Sequence, residues 1–157
     1  MTKVEEVVGL LKEKKAMLAT AESCTGGLLA ATVVNVSGAS ECFYGGFVTY
    51  ANAAKEQMIG VSHKTLEQYG AVSEETAEEM VRGTLLQTGA DYAVATTGIA
   101  GPSGGTKEKP VGLVYIACGS ENHVCVEENH FNGNREDIRK AAVQRGIELL
   151  MECMQEA

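Results

Sequence analysis

The stretch that most limits how this chain can fold is Ala16-Met17-Leu18-Ala19-Thr20-Ala21-Glu22-Ser23-Cys24-Thr25-Gly26-Gly27. An apolar run of buried-strand length gives way abruptly to small hydroxyl residues and two glycines. Leu28-Leu29-Ala30-Ala31 then resumes with helix-forming, core-seeking residues. The reading is strand, tight turn, helix. Adjacent glycines let the backbone turn sharply and let another group approach closely. The N–H groups that open the following helix would point back at the turn, where an anion or a developing oxyanion could sit. Ser23 occupies the position of an exposed nucleophile, and the plainer alternative is that Ser23 or Thr25 caps the helix.

The rest of the chain alternates in the same way. Val4, Val7, Val8 and Leu11 have helical spacing, with lysines toward the carboxyl end. A helix is expected from about Gly27 to Val34, then a strand over 42–50 whose Gly45-Gly46 interruption suggests a bulge or a close backbone approach. Asn52 is placed to cap a short helix ending at Gly60, a second short helix is expected over 64–68, and Ser73-Glu74-Glu75 starts a longer one that ends at Gly89. Strands are expected over 91–97, 111–117 and about 124–131, and the short link between the last two calls for a hairpin. Asn134 and Asp137 form a variant capping box for a final helix carrying Ile138, Ala141, Ala142, Leu149 and Met154. Helices interleaved with strands predict a three-layer α/β/α domain with a mixed, mostly parallel sheet, spanning residues 1–157 as a single domain.

Composition narrows the function. A formal net charge of −8 disfavours a broad phosphate-binding face for DNA or RNA, and with no Trp, three Phe and five Tyr, base stacking is weakly provided for. A small local anion pocket remains allowed. Five cysteines at 24, 42, 118, 125 and 153 show no Cys-x-x-Cys spacing, which favours a reducing, cytoplasmic setting over a disulfide framework. His63, His123 and His130 are scattered without zinc-ligand spacing, so no metal is implied. No segment is apolar enough to span a bilayer, and the first residues lack a signal-peptide core.

Three glycine-bearing places carry candidate chemistry: residues 22–27, the stretch 45–55, and Gly98-Ile99-Ala100-Gly101-Pro102-Ser103-Gly104-Gly105-Thr106. None is a Walker loop, a dinucleotide fingerprint or a Gly-x-Ser-x-Gly elbow. A serine nucleophile needs a base. His63 lacks an identifiable carboxylate partner, whereas Lys55 follows Tyr50 by one short strand-to-helix turn. A lysine serves as base only if burial or nearby positive charge lowers its pKa, and a solvated surface lysine is the alternative. Cys24 is a second possible nucleophile, or simply a small buried residue behind the turn. Arg135, Arg139 and Arg145 form a basic series that is either solvated and salt-bridged or, at Arg135, in contact with an anion.

Ala21-Glu22-Ser23-Cys24-Thr25-Gly26-Gly27, Gly46-Phe47-Val48-Thr49-Tyr50 with Lys55, Gly70-Ala71-Val72-Ser73, Gly98-Ile99-Ala100-Gly101-Pro102 and Lys109-Pro110-Val111-Gly112 together resemble the CinA carboxyl-terminal domain family, the nicotinamide-nucleotide amidases also called nicotinamide mononucleotide deamidases. The resemblance covers nearly the whole chain. It implies hydrolysis of the carboxamide of nicotinamide mononucleotide to nicotinate mononucleotide and ammonia, with Ser23 as nucleophile, Lys55 as base and Tyr50 as a hydroxyl partner in proton transfer. Thr25, Gly26, Gly27, Gly98, Ile99, Ala100, Gly101 and Arg135 are the expected substrate-binding residues. No cofactor is implied, and the expected partners are a small nucleotide substrate and a second copy in a homodimer, without nucleic acid or membrane. Ala51 stands where many relatives have serine, a departure that removes no proposed catalytic group. Larger relatives carry a separate amino-terminal domain that these residues do not include. An amidase for a different small amide and a non-catalytic nucleotide-sensing or partner-binding domain are the rival readings.

Overall fold

A computed structural model describes residues 1–156. Its five-stranded sheet has the order β2-β1-β3-β4-β5, built from β1 (Leu18–Glu22), β2 (Phe43–Val48), β3 (Tyr92–Gly98), β4 (Leu113–Ser120) and β5 (His123–His130). β1 pairs in parallel with β2 and β3, while β4 is antiparallel to both of its neighbours. Four strands therefore run one way and β4 alone runs back, as a mixed sheet containing the expected hairpin requires. Every residue of β1 is buried, which fits a central strand covered on both faces.

The helices divide between the two faces. α1 (Lys3–Lys14), α2 (Leu28–Val34) and α6 (Arg135–Glu156) enclose one core with Leu18, Val94, Val114 and Ile116. α3 (Asn52–Ile59), α4 (His63–Tyr69) and α5 (Glu74–Thr88) enclose the other with Ala21, Ala93, Ala95 and Ala117. The second core uses small strand residues against Met80 and Val81, so the α5 layer lies close to the sheet. None of the described helices is long and apolar enough to cross a membrane.

Local signals work largely as chemistry dictates. Thr2 caps α1 by accepting from the Glu5 N–H at 3.2 Å, and Ser73 caps α5 by accepting from the Thr76 N–H at 3.1 Å. Asn134 and Asp137 exchange bonds, each backbone N–H donating to the other's side chain at 3.0 and 2.9 Å. Asn52 does not cap α3. That position falls to Ala51, which has no side-chain oxygen to offer, so Asn52 becomes the first helical residue. The expected strand over 42–50 stops at Val48: the Thr49 N–H still donates to the Glu22 carbonyl, but the carbonyls of residues 49 and 50 turn to the Lys55 amine.

Two glycines fix how α3 and β2 sit. A Cβ on Gly46 would lie 2.4 Å from the Thr20 Oγ1, so this glycine lets β2 lie against β1, and a register shift opposite Leu18 and Ala19 accommodates the extra residue. In the middle of α5, a Cβ on Gly83 would lie 1.7 Å from the Ile59 carbonyl oxygen. That contact seats the end of α3 directly on α5, which fixes the helix carrying Lys55.

Candidate functional site

The connection leaving β1 runs over one face to β2, while the one leaving β3 turns the other way toward β4. Such a divergence opens a crevice at the carboxyl ends of parallel strands. Ser23 is the first residue past β1 and is held there by its own N–H, which donates to the Thr96 carbonyl at 3.0 Å. Behind it the chain closes two tight turns, with Gly26 N–H donating to the Ser23 carbonyl and Leu28 N–H to the Thr25 carbonyl. Gly26 and Gly27 have φ of 56° and 102°, left-handed values that glycine adopts without strain.

Glu22 corrects the expectation that the start of α2 offers its N–H groups to an external anion. This carboxylate is 1 % exposed and accepts from Leu29 N–H at 2.8 Å, Ala30 N–H at 3.0 Å and the Thr25 hydroxyl at 2.6 Å. The helix end is thus satisfied from within the chain, and neither Ser23 nor Thr25 is its cap. Thr25 is fully buried and its hydroxyl also bonds Thr96 at 2.7 Å. An acidic residue closing an otherwise apolar buried strand is the signal that could have revealed this, because a buried carboxylate demands donors.

Lys55 reaches Ser23 across 32 residues of sequence. It is 1 % exposed, the only buried lysine or arginine among the described residues. Its Nζ lies 2.9 Å from the Ser23 Oγ, 2.8 Å from the Thr49 carbonyl and 3.3 Å from the Tyr50 carbonyl. No carboxylate stands within ion-pair distance of it among the described residues. Burial therefore dominates and brings its pKa down to about 8, with only a small opposing influence from Cys24. The solvated-surface alternative does not hold. Cys24, by contrast, is pushed up to about 11 by burial, leaving an inert thiol behind the turn.

Tyr50 contributes through its backbone. Its carbonyl faces both Lys55 and the Ser23 hydroxyl, the latter at 3.5 Å, whereas its side chain is 62 % exposed. The phenol oxygen accepts from Arg135 Nη2 at 3.2 Å, and Arg135 Nη1 donates to the Gly101 carbonyl at 2.9 Å. Arg135 thereby bridges the exit of β2 and the 98–105 loop. Arg139, one turn further along α6, donates to the carbonyls of Cys24 and Thr25 at 3.0 and 2.8 Å. His63 pairs with Glu56 and Glu67 on the surface and does not line the site.

A cavity of about 190 Å³ opens beside Ser23 and Lys55, with Ala71, Thr97, Gly98 and Arg135 among its walls. Ala100 also lines it, whereas Thr25, Gly26, Gly27, Ile99 and Gly101 do not. Ile99 is occupied structurally, exchanging backbone bonds with Leu113 and Gly112 at the entry to β4. Ala71, Val72 and Thr97 are lining residues that the motif reading left without a role. Thr97 reads as the last residue of a short strand, and only the pairing of β3 beside β1 brings it to the crevice.

A model of the CinA C-terminal domain family matches residues 1–154. The chain belongs to that family. Similar CinA-like proteins occur in Thermotoga neapolitana, 51% identical over 155 residues, and Syntrophomonas wolfei, 50% identical over 149 residues. The alignments cover 98% and 95% of this chain but only 38% and 36% of those proteins, so the chain spans little more than a third of their length. Solved structures agree over the whole CinA domain. A competence/damage inducible protein, CihA, from Agrobacterium tumefaciens superposes with a TM-score of 0.91 at 42% identity, covering 97% of this chain and 96% of that one. A CinA superfamily protein from Klebsiella pneumoniae gives 0.95 at 34% identity, covering 99% and 97%.

Proposed function

We propose that this CinA domain hydrolyses the carboxamide of nicotinamide mononucleotide, releasing nicotinate mononucleotide and ammonia, with Ser23 as nucleophile and Lys55 as base. The observation that carries the reading is the contact between the Ser23 Oγ and a buried lysine amine that has no carboxylate to hold its charge. The carbonyls of Thr49 and Tyr50 can only accept hydrogen bonds. When the amine is neutral, its two N–H bonds go to these carbonyls and its lone pair is left facing the Ser23 hydroxyl. The same two carbonyls thus orient the base.

The proton of Ser23 passes to Lys55 as Oγ bonds to the carboxamide carbon. The resulting ammonium protonates the nitrogen that leaves as ammonia, and the C–N bond breaks to give a seryl ester. Water attacks that ester, its proton goes to Lys55, and the proton returns to Ser23 as the carboxylate product departs. The negative oxygen formed at each addition needs a donor. Gly26 N–H is spent within the turn, so we assign this role to the N–H groups of the turn that follows Ser23, beginning with Cys24, which lines the cavity. Arg139 holds the Cys24 and Thr25 carbonyls and so fixes the shape of that turn. Arg135, at the cavity wall, is assigned to the substrate phosphate, and the Tyr50 hydroxyl positions it.

The substrate assignment rests on the family resemblance of the ordered motifs, and the chemistry rests on the dyad. We further assign residues 1–157 to one amidase domain acting as a cytoplasmic homodimer. The five unpaired thiols fit a reducing compartment, and light scattering tests the dimer. Incubating the purified protein with nicotinamide mononucleotide should release ammonia and nicotinate mononucleotide in equal amounts. Absence of both products from folded protein between neutral and mildly alkaline pH overturns the reading. Turnover of nicotinamide lacking the ribose phosphate at an equal rate retains the dyad but removes the nucleotide. Binding without turnover, unchanged in Ser23→Ala, would favour a sensing domain.

A further inference from the structure

Three of the five cysteines meet at a place the candidate reaction does not use. Cys118 on β4 and Cys125 on β5 are direct partners in the antiparallel ladder, so their side chains share one face. That face is the one α6 covers, and Cys153 in its last turn packs against the same core. Cys118 is fully buried, while Cys125 and Cys153 are half-buried, so the cluster has an outlet to solvent. Cys24 and Cys42 lie apart from it, one in the turn behind Ser23 and the other just before β2. Along α6, Cys153 is about 27 Å from Arg135, at 1.5 Å of rise per residue, so the thiols are remote from the crevice.

We propose that Cys153 and Cys118 form an oxidisable pair that closes into a disulfide, clasping the end of α6 to β4 when peroxide reaches the protein. Both thiols lie in the packing of α6 on β4, and their mutual interaction lowers the pKa of Cys153 while raising that of Cys118. Cys153 is therefore both the more accessible sulfur and the readier thiolate, although burial and Glu156 oppose its ionisation. The Cys153 thiolate attacks one oxygen of hydrogen peroxide, the O–O bond breaks, and sulfenic acid and hydroxide result. The Cys118 sulfur then attacks the sulfenic sulfur, the S–OH bond breaks, and protonation releases water. Overall two thiols lose two electrons and two protons, and one peroxide becomes two waters. Cys125 is the neighbouring thiol that the pair must outcompete.

The test is to treat the purified full chain with hydrogen peroxide, alkylate it after denaturation, and map its peptides by mass spectrometry. The expected result is a peptide pair joined through Cys118 and Cys153, loss of these two alkylatable thiols, and restoration of both by dithiothreitol. Cys24 and Cys42 should stay alkylatable, and the thermal midpoint of the oxidised protein should rise by several degrees. Cys153→Ser should abolish the link, and Cys125→Ser should retain it. Replacing Cys118 risks the core, so the assignment relies on those two variants. The proposal is overturned if all five thiols remain alkylatable, if Cys153 is oxidised further without a link, or if it joins Cys125.

Discussion

Two positive side chains, each drawn into the body of the molecule, meet opposite electrostatic fates. On the β5–α6 flank, Arg145 makes a two-pronged bond to Glu127 at 2.6 and 2.7 Å and also contacts Glu152 at 2.8 Å and Glu148 at 3.4 Å. The hydrogen bonds to Glu127 raise its pKa further, and those from Arg145 hold the Glu127 carboxyl below its ordinary value. At the head of β1, Lys55 is more deeply buried and meets only carbonyls and a hydroxyl. In a chain with 21 acidic residues against 13 basic ones, carboxylates are plentiful, so their exclusion from Lys55 is a structural choice. A saturated cation ties elements together, whereas a starved one gains access to its neutral form.

The sharpest way to break this contrast is to substitute the groups on the starved side. Ser23→Ala and Lys55→Arg should each lower turnover of nicotinamide mononucleotide by roughly a thousandfold, measured as ammonia release, with circular dichroism unchanged. Arginine keeps the charge but cannot lose its proton at working pH, so appreciable activity in Lys55→Arg would remove the base assignment. A smaller effect is expected from Arg139→Ala, which frees the Cys24 and Thr25 carbonyls. Its kcat should fall about tenfold to a hundredfold with little change in KM. An unchanged kcat would mean that the turn keeps its shape without Arg139.

The pH response sharpens the comparison further. The kcat/KM should rise with pH and level off above about 8, where Lys55 becomes neutral. Stability should follow the same group. The pKa of Lys55 is lower in the folded chain than its ordinary value of 10.5, so between about 8 and 10.5 the unfolded chain binds more protons. Unfolding free energy should therefore climb with pH across that window in the wild type relative to Lys55→Met. A flat difference, measured by urea denaturation at several pH values, would contradict a lowered pKa. The smallest effect belongs to the saturated side. Arg145→Met should cost about 1 kcal/mol of stability, because the cluster is partly solvated, and should leave turnover unchanged.

Much of this was legible along the chain. The strand, turn and helix around Ser23, the caps at Ser73 and Asn134, and the β4–β5 hairpin all follow from contacts between residues a few positions apart. The three-layer arrangement follows from the alternation of elements, since each must bury one apolar face. The candidate site was legible only in part: Ser23, Tyr50, Lys55, Gly98, Ala100 and Arg135 meet at the cavity, whereas Thr25, Gly26, Gly27, Ile99 and Gly101 do not line it. The family resemblance points to the Tyr50 hydroxyl, yet the Tyr50 carbonyl is the atom that faces Ser23 and Lys55. Arg139 gave no local sign of holding a turn 114 residues earlier.

What the residues determined alone is the set of elements, their order, and which side chains have the chemistry to act. The tertiary structure decided which groups are already spoken for. Glu22 occupies the N–H groups of α2, Gly83 seats α3 so that Lys55 is buried, and β3 lands beside β1 to bring Thr97 to the crevice. The physical reason is that a pKa and a hydrogen-bond partner depend on everything within a few ångströms, and in a folded chain most of those neighbours are distant in sequence.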